Sequence, residues 1–293
     1  MIRAVCPASC GELIQGYIFG GEKLISYAVD MYSTVSLYEG KRPDDMPIDM
    51  EKAYRAVDET FRLCGYSSEE SKDIAIDIDS QISAGKGMAS STADICAAIA
   101  CASEYIGRKL SKEEVAGICT GIEPTDSTIF NTLTLFDHVG GDICRDYGKN
   151  IESGVILIEG REIIDTVSFH KKGLHGLIRS GERQMKRALE LFEEGLCEQD
   201  MGKIGQAAII SGLERQNVLP KRGLEALIEK SMELGAYGVN VAHSGSTVGV
   251  LYPQDKVDMG KLIYEIGKLE IVKAAKSVES CTIVQGGAKL QYM

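Results

Sequence analysis

A chain of 293 residues, 44% of them hydrophobic and 26% charged, has the composition of a folded globular protein and the length for two ordinary domains, which excludes a disordered or fibrous chain. A net charge of −11 and a pI near 5.0 give a field that repels polyanions, so nucleic acid is not an expected partner, although local N–H groups and cations can still hold a small phosphate ligand. The chain opens without a charged-then-apolar leader, and no uncharged apolar run approaches the ~18 residues that span a bilayer, so a cytoplasmic protein with no membrane partner is expected.

The first forty residues alternate apolar and polar side chains in short pieces, with Gly20-Gly21 as a turn, and predict several antiparallel strands. Apolar side chains at helical intervals over residues 50–64 predict an amphipathic helix stopped by Gly65. "DIAIDIDSQI" has the period-2 pattern of a half-buried strand, and it leads through "SAGKGMAS" into a helix over Ser90–Ile106 closed by Gly107. Ala93, Ala97, Ala100, Ile95 and Ile99 supply that helix with faces for close packing. A Ser-x-x-Glu capping box at Ser111 starts a shorter helix ending near Gly121, before "EPTDSTIFNTLTLFD".

Polar and glycine residues around 140–152 mark a soft boundary, which divides the chain into 1–152 and 153–293. Beyond it the pattern predicts a strand or two over 155–169, helices around 175–196, 199–214 and 221–234, and a hairpin turning at "HSGS". A helix at 256–268 and a strand near 279–285 complete the chain. Strands and helices alternate without regular βαβ units, so the predicted class is α+β. Nine cysteines without a repeated C-x-x-C pair read as reduced thiols, and Cys6 and Cys10 lack the second pair that tetrahedral zinc needs. The four histidines show no helical ligand spacing.

The stretch "GKGMASSTAD" places unhindered glycine backbone, a lysine and two hydroxyls at the mouth of a helix, where unpartnered N–H groups and the helix dipole favour an anion. A dinucleotide fingerprint would need a βαβ unit and an acidic residue about 20 positions on, and the nearest, Glu104, lies inside the helix. The P-loop pattern is not matched, because Lys86 lies between the glycines. The alternative without a ligand is a tight turn capped by Ser91 and Asp94.

This segment resembles the phosphate loop P-x-x-x-G-L-G-S-S-A of the GHMP kinases, with Ser83 in place of the proline and Met88-Ala89 in place of Leu-Gly. "CPASCGELIQG" (6–16) and "NVAHSGSTVGVL" (240–251) resemble that family's N-terminal motif and its C-terminal glycine-rich hairpin. "PASCGELIQG", "GKGMASSTADI", "EPTDSTIF" and "AHSGS" together resemble its threonine-phosphorylating branch, which makes L-threonine O-3-phosphate for the aminopropanol arm of cobalamin.

The resemblance covers nearly the whole chain. It implies a two-domain GHMP fold, with a ribosomal-protein-S5-domain-2-like N-terminal domain that binds ATP and a ferredoxin-like C-terminal domain. It also implies ATP and Mg2+ as cofactors and a small-molecule acceptor as the partner. ATP phosphates are expected on Gly85, Lys86, Gly87, Met88, Ala89, Ser90 and Ser91, with Lys86 adding charge if it points inward rather than to solvent. Mg2+ is expected on Ser91 and Glu123; an N-cap and a solvated loop carboxylate are the alternatives.

Asp126 falls where many relatives carry the aspartate that orients or deprotonates the acceptor hydroxyl, although "PTDS" alone also reads as a turn with an Asx cap. Glu12 and Asp30 are candidates for the acceptor's ammonium, or else exposed strand carboxylates. Ser244, Gly245 and Ser246 are expected to approach the substrate from the second domain. Mevalonate kinase carries a lysine in its first motif where Ser9 stands here, so the compensating charge is expected from Mg2+, Lys86 or another basic residue. Homoserine as the acceptor, or a nucleotide-binding sensor without chemistry, are the competing functions. Oligomeric state is not legible.

Overall fold

The computed structural model describes residues 1–67, 69–162 and 174–292. Two long strands, β1 (Ile2–Ile18) and β2 (Gly21–Glu39), are reversed by a turn at Phe19 and Gly20, both at positive φ. They pair antiparallel almost end to end, with register shifts at Pro7/Ala8, Ser9/Glu12 and Glu12/Ile14. Such bulges bend a strand and re-aim its side chains, and here they fall across the "PASCGE" motif.

Helix α1 (Ile48–Leu63) buries Ala53, Tyr54, Ala56, Val57 and Phe61 along one face and leaves Glu51 and Arg55 exposed. Strand β3 (Ile74–Ser80) pairs with β2, and α2 (Ser90–Ile106) follows. The α2 side chains Ala93, Ile95, Cys96, Ala97, Ala98, Ile99, Cys101 and Ala102 are all buried, and the small ones let the helix sit close against β1 and β2. Each fully buried isoleucine contributes about 1.5–3 kcal/mol.

Helix α3 (Lys112–Ile122) starts with the predicted capping box: the Ser111 hydroxyl accepts from Glu114 N–H at 3.2 Å, and the Glu114 carboxylate accepts from Ser111 N–H at 2.9 Å. A 3-10 turn (Ser127–Ile129) and short strands β4 (Thr134–Phe136) and β5 (Ile143–Asp146) complete the first half.

The second half contributes β6 (Gly154–Glu159), α4 (His175–Ser180), α5 (Glu182–Glu198), α6 (Met201–Arg215), α7 (Leu224–Glu233), β7 (Gly238–Val241) and β8 (Val248–Tyr252). It ends with α8 (Met259–Ile266), α9 (Glu270–Lys273), β9 (Ser277–Val284) and β10 (Lys289–Gln291). The helix expected over 175–196 is broken at Gly181. The strand expected over 155–169 is formed by β6, and its continuation lies partly outside the described residues.

Among the described residues, ten strands form one sheet in the order β10-β1-β7-β8-β6-β9-β2-β4-β5, with β3 beside β2 and β1 also paired to β2. Strands from 1–152 and 153–293 therefore share one hydrogen-bonded sheet, and the larger apolar core draws on both halves. A smaller core around Ile156, Val239, Val250, Leu227 and Leu262 belongs to the second half alone. Helix α6 lies so close on β7 that a Cβ on Gly205 would stand 1.8 Å from the Tyr237 carbonyl oxygen. That contact carries Arg215, at the end of α6, to the loop that follows β7.

Candidate active site

The three glycine-rich stretches of the sequence meet at the start of α2. The loop before it passes through positive φ at Gly85 (69°), Gly87 (78°) and Ala89 (58°). Ser9 N–H donates to the Met88 carbonyl at 3.0 Å, while Thr247 donates to the Lys86 carbonyl through both its N–H (3.1 Å) and its hydroxyl (2.8 Å). A Cβ on Gly245 would stand 2.2 Å from Gly87 N, so the hairpin loop and the phosphate loop touch backbone to backbone.

No side chain among the described residues caps α2. The Ser91–Asp94 box does not form; Asp94 instead accepts from the Ser33 hydroxyl, and Ala89 in a left-handed conformation occupies the N-cap. The positive end of a 17-residue helix is thus left without a side-chain acceptor, an arrangement suited to an anion.

Beside that helix start, Lys52 of α1 donates to the Ser91 hydroxyl at 3.4 Å and pairs with the Glu123 carboxylate at 2.8 Å. Glu123 stands where α3 ends, in extended conformation, with its side chain 9% exposed. A hydroxyl and a carboxylate therefore already gather around one cationic group, and hard oxygens of this kind suit Mg2+.

Asp126 N–H reaches the Thr92 hydroxyl of the first α2 turn at 3.4 Å, and its carboxylate accepts from Thr128 N–H at 2.9 Å. Burial pushes this carboxyl above the ordinary aspartate value, while the Thr128 N–H and the hydroxyls of Ser26, Thr128 and Ser9 pull it back. The Asx-type cap and a position facing the phosphate loop thus coexist in one residue.

Glu12 is 4% exposed and its Oε2 has no hydrogen-bond partner among the described residues. Burial pushes its carboxyl well above the usual range and Asp126 adds to the rise, against Arg215, the His243 backbone N–H and Lys221. Arg215 donates twice to the His243 carbonyl, with Nε at 3.0 Å, and Lys221 donates to the Gly245 carbonyl at 2.8 Å. Burial lowers Arg215 to about 10, and burial together with Arg215 lowers Lys221 to about 8. Two cations and two carboxylates therefore converge beside the phosphate loop.

Three expectations are corrected. Lys86 does not face the helix start: its ammonium is buried and donates to the carbonyls of Gly160 (3.0 Å), Arg161 (2.7 Å) and Glu162 (3.0 Å). Ser246 turns the same way, its hydroxyl donating to Gly160 and Glu162 carbonyls. Both side chains follow β6 because the backbone after that strand offers a row of acceptors close to the loop. Asp30 is exposed and accepts from Thr282 N–H at 2.7 Å, fastening β2 to β9 rather than joining Glu12 and Asp126.

Arg215, Lys221 and Lys52 escaped the sequence reading, since Arg215 and Lys221 lie 28 and 24 residues from the hairpin carbonyls they bind and no local pattern links them. A further cluster was equally hidden: Glu22, His138 and His243 bring one ligand-type atom each to within 4.8 Å of one another. They come from the start of β2, the turn after β4 and the loop after β7, so no spacing along a helix links them.

The chain is similar to known proteins over its whole length. Family models described as GHMP kinases N terminal domain and GHMP kinases C terminal match residues 51–133 and 192–265. The chain is 36% identical to an L-threonine kinase of Citrobacter freundii over 99% of this chain and 100% of that protein. It is 35% identical to an L-threonine kinase of Salmonella typhimurium over 98% of this chain and 95% of the relative. Among solved structures, mevalonate diphosphate decarboxylase from Staphylococcus aureus shares the fold at a TM-score of 0.74 with 12% identity, over 100% of this chain and 99% of that one. Homoserine kinase from Cytophaga hutchinsonii shares it at 0.66 with 16% identity, over 99% of this chain and 97% of that one.

Proposed function

The chain belongs to the GHMP kinase family, and from that premise we propose that it transfers the γ-phosphoryl group of ATP to the side-chain hydroxyl of L-threonine. The observation that carries the acceptor's class is the buried Glu12 Oε2, without a hydrogen-bond partner among the described residues and beside Arg215 and Lys221. A free amino acid brings an ammonium to complete Glu12 and a carboxylate to meet the two cations, whereas a neutral sugar or isoprenoid alcohol would leave these groups uncompensated. Full-length similarity to L-threonine kinases supports threonine within that class, and with it a product of the kind used in the aminopropanol arm of cobalamin.

In this reading the N–H groups from Gly85 to Ser91 cradle the phosphates at the uncapped start of α2. Ser91 and Glu123 would hold Mg2+, which when bound neutralises phosphate charge. Glu12 and the Arg215–Lys221 pair fix the two ends of the amino acid so that its hydroxyl faces the γ-phosphorus. Asp126 accepts the hydroxyl proton as the threonine oxygen–phosphorus bond forms and the bond from phosphorus to the ADP oxygen breaks. Its elevated carboxyl is better matched to that task than an ordinary aspartate. Lys86 and Ser246 contribute by stapling the phosphate loop to the backbone after β6.

The test is the product itself. Incubation of the protein with L-threonine and MgATP, followed by 31P NMR, is expected to give L-threonine O-3-phosphate and ADP one to one. Nucleotide binding without a phosphorylated amino acid would replace the kinase by a sensor.

A further inference from the structure

Sealing Lys86 among three carbonyls removes the basic residue that the sequence offers to the phosphates, and Ser9 supplies no charge in its place. Phosphoryl transfer still concentrates negative charge on the oxygens around the γ-phosphorus and on the departing ADP. Lys52 stands at the start of α2. Lys52 projects from α1 with its side chain 22% exposed, and its ammonium lies between Ser91 and Glu123, the two residues that would hold the metal.

We propose that Lys52 is a second cation of the transfer site and works by exchange. Without nucleotide, Lys52 neutralises Glu123 and keeps the Ser91 hydroxyl and the Glu123 carboxylate gathered at the helix start. When a metal-bound nucleotide arrives, Lys52 releases both oxygens and turns its ammonium to the phosphates, a short swing for a flexible four-carbon stem already at the mouth of α2. The inference rests on the kinase reading above, and it adds the residue that supplies the charge missing from the first motif. It also accounts for the placement of a lysine against two candidate metal ligands. An ammonium with phosphate oxygens to move to frees Glu123 for the metal and still has anionic partners once the nucleotide is bound.

Exchange makes opposite demands on two measurements, which a simple tie between α1 and α3 does not. Lys52→Met removes the competitor, so the nucleotide-free protein should bind Mn2+, followed by electron paramagnetic resonance, about tenfold more tightly than the unaltered protein. The same variant should lose about 10²-fold in kcat with MgATP and threonine, the scale of losing one charge-stabilising donor, with the KM for threonine little changed. Lys52→Arg should recover part of kcat, and Glu123→Gln should lose Mn2+ binding. Unchanged kcat in Lys52→Met overturns the proposal, as does Mn2+ affinity that is unchanged or weaker. Were the unaltered protein inactive on threonine, the kinase reading would fall, while the Mn2+ comparison would still decide whether Lys52 and the metal exchange.

Discussion

Glu12→Gln is expected to make the substrate-free protein more stable at neutral pH while abolishing its response to threonine. Glu12 is 4% exposed, one carboxylate oxygen lacks a hydrogen-bond partner among the described residues, and Asp126 lies close enough to raise its carboxyl further. A group whose folded-state value lies above its unfolded value contributes stability that is fully present below the unfolded value and lost as pH rises through the folded one. At neutral pH the native protein therefore carries a penalty, and a neutral amide of the same shape that keeps the His243 N–H bond removes it. The extra cost of burying a charge rather than a neutral amide is about 1–3 kcal/mol, which for a chain of this size corresponds to about 2–6 °C in Tm. Thermal unfolding from pH 4 to 8, with and without threonine, should show the variant gaining on the unaltered protein as pH rises and no longer stabilised by the amino acid. A variant that is less stable at pH 7, or that threonine still stabilises, would mean that Glu12 is an ordinary partner of Arg215 and not the ammonium site.

Asp126→Asn should leave Tm and nucleotide binding nearly intact while kcat falls about 10²–10⁴-fold, measured by coupled ADP release. The Lys221 ammonium, lowered to about 8, should hold the acceptor carboxylate only while protonated, so kcat/KM for threonine should decline above about pH 8, and Lys221→Met should flatten that limb. Lys86→Met should act through the loop, because three carbonyls lose their donor. We expect a loss of about 1–3 kcal/mol in denaturant unfolding and a raised KM for ATP, with a smaller effect on kcat than Asp126→Asn produces.

The sequence made α2 legible because its apolar spacing, its small residues and the flanking Gly87 and Gly107 all agree with one local structure, and the Ser111 capping box is read in the same way. It also located the three glycine-rich stretches that meet at the site. What it left open is direction. Lys86 and Ser246 sit in the expected loops, yet their side chains turn toward the carbonyls after β6, which only the folded chain supplies. Asp30 lies on the expected strand but faces β9. Arg215 and Lys221 depend on the close seating of α6 against β7, and Lys52 on the packing of α1 beside α2 and α3. Those juxtapositions are tertiary, so no spacing along the chain encodes them. The strands of the two halves join one sheet for the same reason: long β1 and β2 change partners along their length, and a short window of alternation cannot reveal that.

The most direct measurement is kcat/KM for ADP release with MgATP across L-threonine, L-homoserine, L-serine, galactose and mevalonate. The account predicts threonine first, by about tenfold or more over homoserine, which differs in the placement of its hydroxyl, and no appreciable turnover of the two substrates that lack an ammonium. Comparable turnover of galactose or mevalonate would contradict the charged acceptor site built around Glu12, Arg215 and Lys221.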